Sequence, residues 1–403
     1  MYVVDANIDR RVDVTIDPTI DRVRTEPTTR LMWSDRLSVS VGCMWTRTTS
    51  SLRTLGWICA AALAAVVASE RIYWYWAGID ADSLSVLTVF YAVAVAAAVA
   101  ALARSSGTGA RRAVFGGAVF ALVVEGIITP VMYEDGPLPV LYLMFVGWHG
   151  LLAFVGFVYL VRRWALDGRS TRIAVGASVA GVGWGAWALA SGVTDRETAQ
   201  EIAAAGAGSA DVLLPAEFAT YSVWTGLVLI FAHVVMDRLW PARGWSPSRT
   251  WNVATAIAVV ALASLLVIPV VPWAPLKLVG FGWLLWRFLG RSTEGPSSDT
   301  LIDELAGRVR YRNLAALLLL PLAATLTYWS MWAMRDDSLM EILYLRSIDV
   351  QVAAGIAGLG WAIRRRSRTT VAARPTPPTP SVRTTVPSQE LDSPINAQEG
   401  PPS

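Results

Sequence analysis

Leu84–Ala103 reads LSVLTVFYAVAVAAAVAALA, an uncharged run bounded by Asp82 and Arg104. About 20 apolar residues is the length a helix needs to cross the hydrocarbon of a bilayer. A charge-free run of that length, ended by a charge on each side, is read as a membrane span. Similar runs recur on both sides of it. Working outward, ten spans are expected at about 54–76, 84–103, 113–132, 138–161, 172–192, 213–236, 251–271, 273–289, 313–334 and 343–363. Pro272 separates the seventh from the eighth so tightly that a hairpin turn, and a count of nine, is the competing reading.

Composition agrees. Of 403 residues, 54% are hydrophobic and 16% charged, against about 25% charged in soluble domains. The fold class expected is all-α, a polytopic helical membrane protein. The net charge of +3 comes without a basic stripe interleaved with aromatics, so no nucleic acid partner is expected. Cys43 and Cys59 lie on opposite sides of the first span boundary and build no disulfide framework.

Arginines mark alternate loops. Arg104, Arg111 and Arg112 form one group, Arg162, Arg163, Arg169 and Arg172 the next, then Arg238, Arg243 and Arg249. Arg287, Arg291, Arg308, Arg310 and Arg312 follow, and Arg364, Arg365 and Arg366 close the series. The loops between them are short or acidic, with Asp80 and Asp82, Glu134 and Asp135, Asp195 to Asp211, and Asp336 and Asp337. The positive-inside rule then puts both termini in the cytoplasm of a multi-pass cell-membrane protein. Residues 1–50 are polar and expected to be a disordered cytoplasmic leader, with Met32 and Met44 as alternative starts. Residues 51–366 form the transmembrane domain. From 367 the Pro-rich tail through Pro375, Pro377, Pro378 and Pro380 is expected to be disordered.

Asp135–Trp164 aligns without a gap to Asp211–Trp240. Both carry Asp, then Leu-Pro (Leu138-Pro139; Leu214-Pro215), then Trp148 or Trp224, then Gly-Leu, and end in Arg162-x-Trp164 or Arg238-x-Trp240. Proline early in a helix costs little because its missing N–H has no partner there. Arginine with tryptophan suits an interfacial anchor. Spans 4–5 and 6–7 are therefore expected to be a parallel duplicated hairpin, a pattern found in several transporter folds. Gly181 and Gly185 have the spacing of close helix packing. Thr300 and Asp303 have capping-box spacing before Leu301, Leu305 and Val309, which predicts a short helix in a cytoplasmic loop.

Charges inside spans are costly and face a protein interior or a wet cavity. Glu70, Glu125, Glu217 and Asp349, with Arg71, Lys277 and Arg346 as ion-pair candidates, fall at a similar outer depth on five spans. Together they predict an outward-facing polar site that binds a small molecule or ion, or exchanges a proton. Glu125 is the sharpest candidate: it follows the apolar stretch Ala113–Val124 and precedes Gly126 and Pro130, which break the helix and free backbone carbonyls. His149, in Gly147-Trp148-His149-Gly150, is its expected proton-relay partner. His233 is read as structural and Lys277 as a lysine snorkelling to the interface. Tyr73–Trp76, Tyr133, Trp273 and Trp332 are read as an interfacial belt rather than a cation cage. No metal or cofactor is expected, retinal and haem included. A permease or transporter-like protein is the leading expectation. A lipid-directed membrane enzyme using Glu125 and His149 and a non-catalytic scaffold are the alternatives, with membrane lipid the one partner common to all three.

Overall fold

The structure is a computed structural model that describes residues 52–72, 81–105, 109–134, 139–194, 212–241, 244–291 and 300–372, without the side chains of Ala81 and 365–372. The chain divides into two units, Met1–Leu52 and Arg53–Ser403, and the architecture below is that of the second. The leader, Cys43, Tyr73–Trp76, most of the acidic loop residues and the tail from 373 lie outside the described residues.

Among the described residues, ten longer helices follow one another where the ten apolar runs stand. They are α1 (Leu52–Arg71), α2 (Ala81–Arg104), α3 (Ala110–Val123), α4 (Val140–Leu166) and α5 (Ser170–Thr194). Then come α6 (Pro215–Leu239), α7 (Arg249–Val267), α8 (Ala274–Leu285), α9 (Tyr311–Trp332) and α10 (Asp337–Ala372). No strand occurs among the described residues. The chain is an all-α polytopic membrane protein, and 8 of these helices are long and apolar enough to cross a bilayer. The other two are α3 and α8. α3 carries Arg111, Arg112 and Glu125 within its run and its π-helical extension. α8 has 12 residues and continues into a five-residue π-turn, Trp286–Gly290, which brings it only to the lower limit of about 17 residues for a crossing.

Burial sorts the helices into a centre and a rim. The apolar window of α4 is 72% buried and that of α1 67%, against 6% for α7 and for α10. Around α1, α3 and α4 two groups assemble. On one side α5 packs along α9 and α10, and α6 along α9; on the other α2 packs on α3 and α7, with α8 against α3. The copies in the sequence repeat thus meet different surroundings: α5 runs against α9, while α7 runs against α2. α4 is π-helical over Val146–Leu160 and α6 is regular throughout.

Small residues set the closest approaches. A Cβ on Gly181 or Gly185 would collide with the backbone carbonyls of Leu320 and Ala324 on α9, so the glycine spacing does mark tight packing. On α4, Gly150 lies against Gly117 of α3, and Gly147 against the carbonyl of Gln351 of α10. The four residues Gly147–Gly150 are therefore clamped between two helices, with Trp148 and His149 held in the middle.

Polar ties close the two ends. Glu217 accepts a hydrogen bond from the Leu214 N–H at 2.8 Å and caps α6 behind Pro215. Thr300 and Asp303 form the expected capping box, Thr300 N to Asp303 Oδ2 at 3.0 Å and Asp303 N to Thr300 Oγ1 at 3.2 Å. Its helix is a single turn, Leu301–Glu304, and Leu301, Leu305 and Val309 are buried in protein rather than offered to lipid. Arg162, expected as an interfacial anchor, is instead buried. It pairs with Asp237 at 3.1 Å, donates to the carbonyls of Leu305 and Gly307 at 3.0 and 2.9 Å, and lies 3.7 Å over the Trp240 ring. Each of the three guanidinium nitrogens thereby finds an acceptor in place of water. α10 continues to Ala372, so the segment expected as tail from 367 begins as helix.

Candidate functional site

Five helices of the described residues carry a π-helical stretch, and on three of them a candidate side chain stands within it. Glu70 lies in the π-turn Val67–Arg71 that ends α1. Glu125 lies in the π-turn Val124–Ile128 that extends α3. His149 lies in the π-helical stretch of α4. A π-turn inserts a residue, rotates the following side chains and leaves a carbonyl without its usual partner; such turns gather at functional sites.

The local sequence explains the break at Glu125. Pro130 forces Thr129 out of the helical region, and Thr129 takes φ −122°, ψ 90° before the 3₁₀ turn Pro130–Tyr133. The carbonyls freed upstream are recaptured. Val124 O accepts from the Thr129 N–H at 2.8 Å, and Gly126 O accepts from the Tyr133 hydroxyl at 2.7 Å. Tyr142 of α4 donates to Ala118 O at 3.2 Å and ties α4 to α3 just beside the site.

These elements bring Glu125, His149 and Glu70 together. His149 Nε2 is 2.5 Å from Glu125 Oε1 and 4.0 Å from Glu70 Oε1. Tyr91 of α2 donates its hydroxyl to Glu70 Oε1. Ser69 donates to Ala65 O at 2.7 Å and lies 3.3 Å from the Tyr91 hydroxyl. The side chain of His149 is 0% exposed, that of Glu125 5% and that of Glu70 12%. Aromatic rings wall the cluster in. Trp148 stacks on the imidazole at 4.5 Å, Phe145 lies at 6.0 Å and Phe120 at 6.5 Å, and Tyr91 at 6.3 Å.

Two features of this group bear on its role. Among the described residues no arginine or lysine pairs with Glu70 or Glu125, so two carboxylates share one imidazole. In addition, the His149 ring nitrogens and Glu125 Oε2 are buried with no aligned hydrogen bond. The close approach of Nε2 to Oε1 is a polar contact that leaves hydrogen-bonding capacity unused. Buried polar atoms are nearly always satisfied, and the exceptions gather where function needs them.

The remaining candidates stand elsewhere. Arg71 points toward α6, its Nε 3.3 Å from Thr225 Oγ1 and its guanidinium 4.6 Å from the Tyr221 ring centroid. Glu217 is the exposed cap of α6. Arg346 and Asp349 pair with each other at 2.8 Å, both well exposed. Lys277 does not snorkel: it is buried and donates to Met132 O, because α8 packs against the α3–α4 connection that presents that carbonyl. Tyr133 and Trp273 meet edge to face at 5.4 Å. His233 is buried on α6. Tyr91 was missed in the sequence because a tyrosine in an apolar run is indistinguishable there from core. Asp237, one residue before Arg238, was likewise missed, and it is the buried partner of Arg162. Among the described residues no group of three or more His, Cys, Asp or Glu side chains, the Glu125 cluster included, is arranged to hold a metal ion.

An apolar cleft of about 670 Å³ lies between α4, α5 and α10, with Trp148, Trp184 and Trp187 in its wall. Its exposed rim includes Leu152 and Val350. Trp148 separates it from His149.

No family model matches this chain, and neither a curated protein nor a solved structure does.

Proposed function

We propose that this protein is a permease or transporter-like membrane protein whose Glu125–His149–Glu70–Tyr91 cluster exchanges protons during its working cycle, with both termini in the cytoplasm. The observation that carries the reading is the imidazole of His149 set between two carboxylates, buried, on three helices that each depart from regular geometry. Ionisable residues inside spans are costly to keep and mark proton relays and ion pathways. A purely structural pair would be built around a cation and would saturate its hydrogen bonds. This cluster has neither property. Glu125 serves as the proton-carrying carboxyl, His149 as relay and Glu70, held by Tyr91, as the second acceptor. The alternating arginine loops support the orientation.

The cleft beside Trp148 favours a second reading, a membrane enzyme acting on a lipid, since an acyl chain fits such a wall. The acid–base pair lies behind Trp148 rather than in the cleft, which favours the permease.

The test is a thermal-stability screen of the detergent-purified full chain and its Glu125→Gln variant, against ions, small polar metabolites and lipids from about pH 5 to about pH 8. A water-soluble compound that stabilises the wild type in a pH-dependent way, and loses that dependence in the variant, is the expected result. Stabilisation equal in both proteins at every pH overturns the proposal. A lipid as the sole stabiliser transfers it to the enzyme reading.

A further inference from the structure

At the end of the bundle formed by the start of α1, the end of α6 and the start of α9, three arginines line one cleft. Arg53, Arg238 and Arg308 line a hollow of about 520 Å³ together with Trp240 and Tyr311. We propose that this cleft binds a phosphate group, carried either by an anionic lipid headgroup or by a soluble phosphate compound.

The charge balance carries the argument. Among the described residues the cleft's one carboxylate, Asp237, is already matched: Arg162 pairs with it at 3.1 Å, and the Val309 N–H donates to it at 3.0 Å. Nearby acids are likewise engaged. Asp303 accepts from the Thr300 and Gly244 backbone, and Glu304 pairs with Arg163 at 2.8 Å. Among the described residues none of Arg53, Arg238 and Arg308 has a carboxylate at ion-pair distance, so the hollow presents three uncompensated positive charges. Interfacial arginines that only anchor a span stand apart on a surface; here they share a concavity.

Geometry adds selectivity for phosphate. Arg53 is held in place by donating to the Arg238 carbonyl at 3.2 Å, and its remaining N–H groups keep their forked geometry. Planar forks of this kind bind phosphate oxygens two at a time. The Trp240 ring, fixed by its own bond to Ile302 O at 3.3 Å, forms one wall. Basic pockets between membrane helices are suited to anionic headgroups. This proposal stands independently of the buried Glu125 cluster, with which the cleft shares no residue.

The experiment compares the full-length wild type with Arg238→Gln/Arg308→Gln. The probes are phosphatidylglycerol, phosphatidylcholine and inorganic pyrophosphate, read by native mass spectrometry and thermal stability. The wild type is expected to retain phosphatidylglycerol over phosphatidylcholine, or to bind pyrophosphate, with affinity falling about tenfold or more in the double variant. Loss of the lipid alone assigns the site to a headgroup; loss of pyrophosphate alone assigns it to a soluble phosphate. Arg308→Glu, on an exposed connection, reports the same loss should the double variant fail to fold. Equal binding of every probe by wild type and Arg308→Glu overturns the proposal.

Discussion

His149 and Glu125, on neighbouring helices, meet in the interior of the bundle with Nε2 2.5 Å from Oε1. Neither side chain reaches solvent to any useful extent. Both groups stand on departures from regular helix, the π-turn before Pro130 and the π-helical run through Gly147–Gly150.

Glu125→Gln preserves shape and polarity, so the protein is expected to stay folded, with stability changed by about 1 kcal/mol or less. Infrared difference spectra between about pH 5 and about pH 8 are expected to show a protein carboxyl band in the wild type that is missing in the variant. An unchanged spectrum removes Glu125 from the proton site.

Gly181→Ala and Gly183→Ala form a matched pair. A Cβ at Gly181 strikes the Leu320 carbonyl, whereas one at Gly183 meets nothing within 4 Å. The first substitution is expected to cost about 1–3 kcal/mol by forcing α5 from α9. The second is expected to stay within about 0.5 kcal/mol. Unfolding in a graded detergent series reads both.

Asp237→Ala strands the Arg162 guanidinium in a buried setting and is expected to cost about 3–5 kcal/mol. The double substitution Arg162→Met/Asp237→Leu removes both charges and is expected to recover much of that loss. A double-mutant cycle on thermal unfolding measures the coupling. Additive effects would show that the two side chains do not depend on each other.

Asp336 precedes α10 and accepts from the Ser338 hydroxyl and from the N–H groups of Ser338 and Leu339 at 3.0 and 3.3 Å. Its carboxyl is held below the ordinary aspartate value, first by the Ser338 hydroxyl and then by these backbone donors. A depressed native value means that the cap's contribution is fully present above the unfolded value, about 3.9. It is lost as pH falls through the native value. Carbon-detected NMR titration should find Asp336 protonating below the ordinary aspartate value, and Ser338→Ala should move it back up.

Much of this fold was legible along the chain because a membrane span is a local property. The apolar run Leu84–Ala103 has no lower-energy disposition than a helix in hydrocarbon, and Pro130 and Pro215 mark helix ends through their own backbone chemistry. Gly181 and Gly185 were readable as a packing seam for the same reason: their spacing on one helix face needs no knowledge of the partner. The site was legible in part. Glu70, Glu125 and His149 were recognisable as expensive residues within spans, but Glu217 and Asp349 carried the same signal and stand apart from them. Arg162 and Lys277 ran the other way, read as interfacial and found buried.

Hydropathy and arginine placement alone determined that this is an all-α membrane protein and where its helices run, since both follow from the transfer energy of each segment by itself. The tertiary structure alone decided which intramembrane charges meet, that Tyr91 joins them, and that Asp237 is matched while Arg53, Arg238 and Arg308 are left to share a cleft. Those outcomes depend on how helices distant in the sequence are rotated and pressed together. A π-turn or a glycine contact shifts that rotation without leaving a trace in the composition of any one helix.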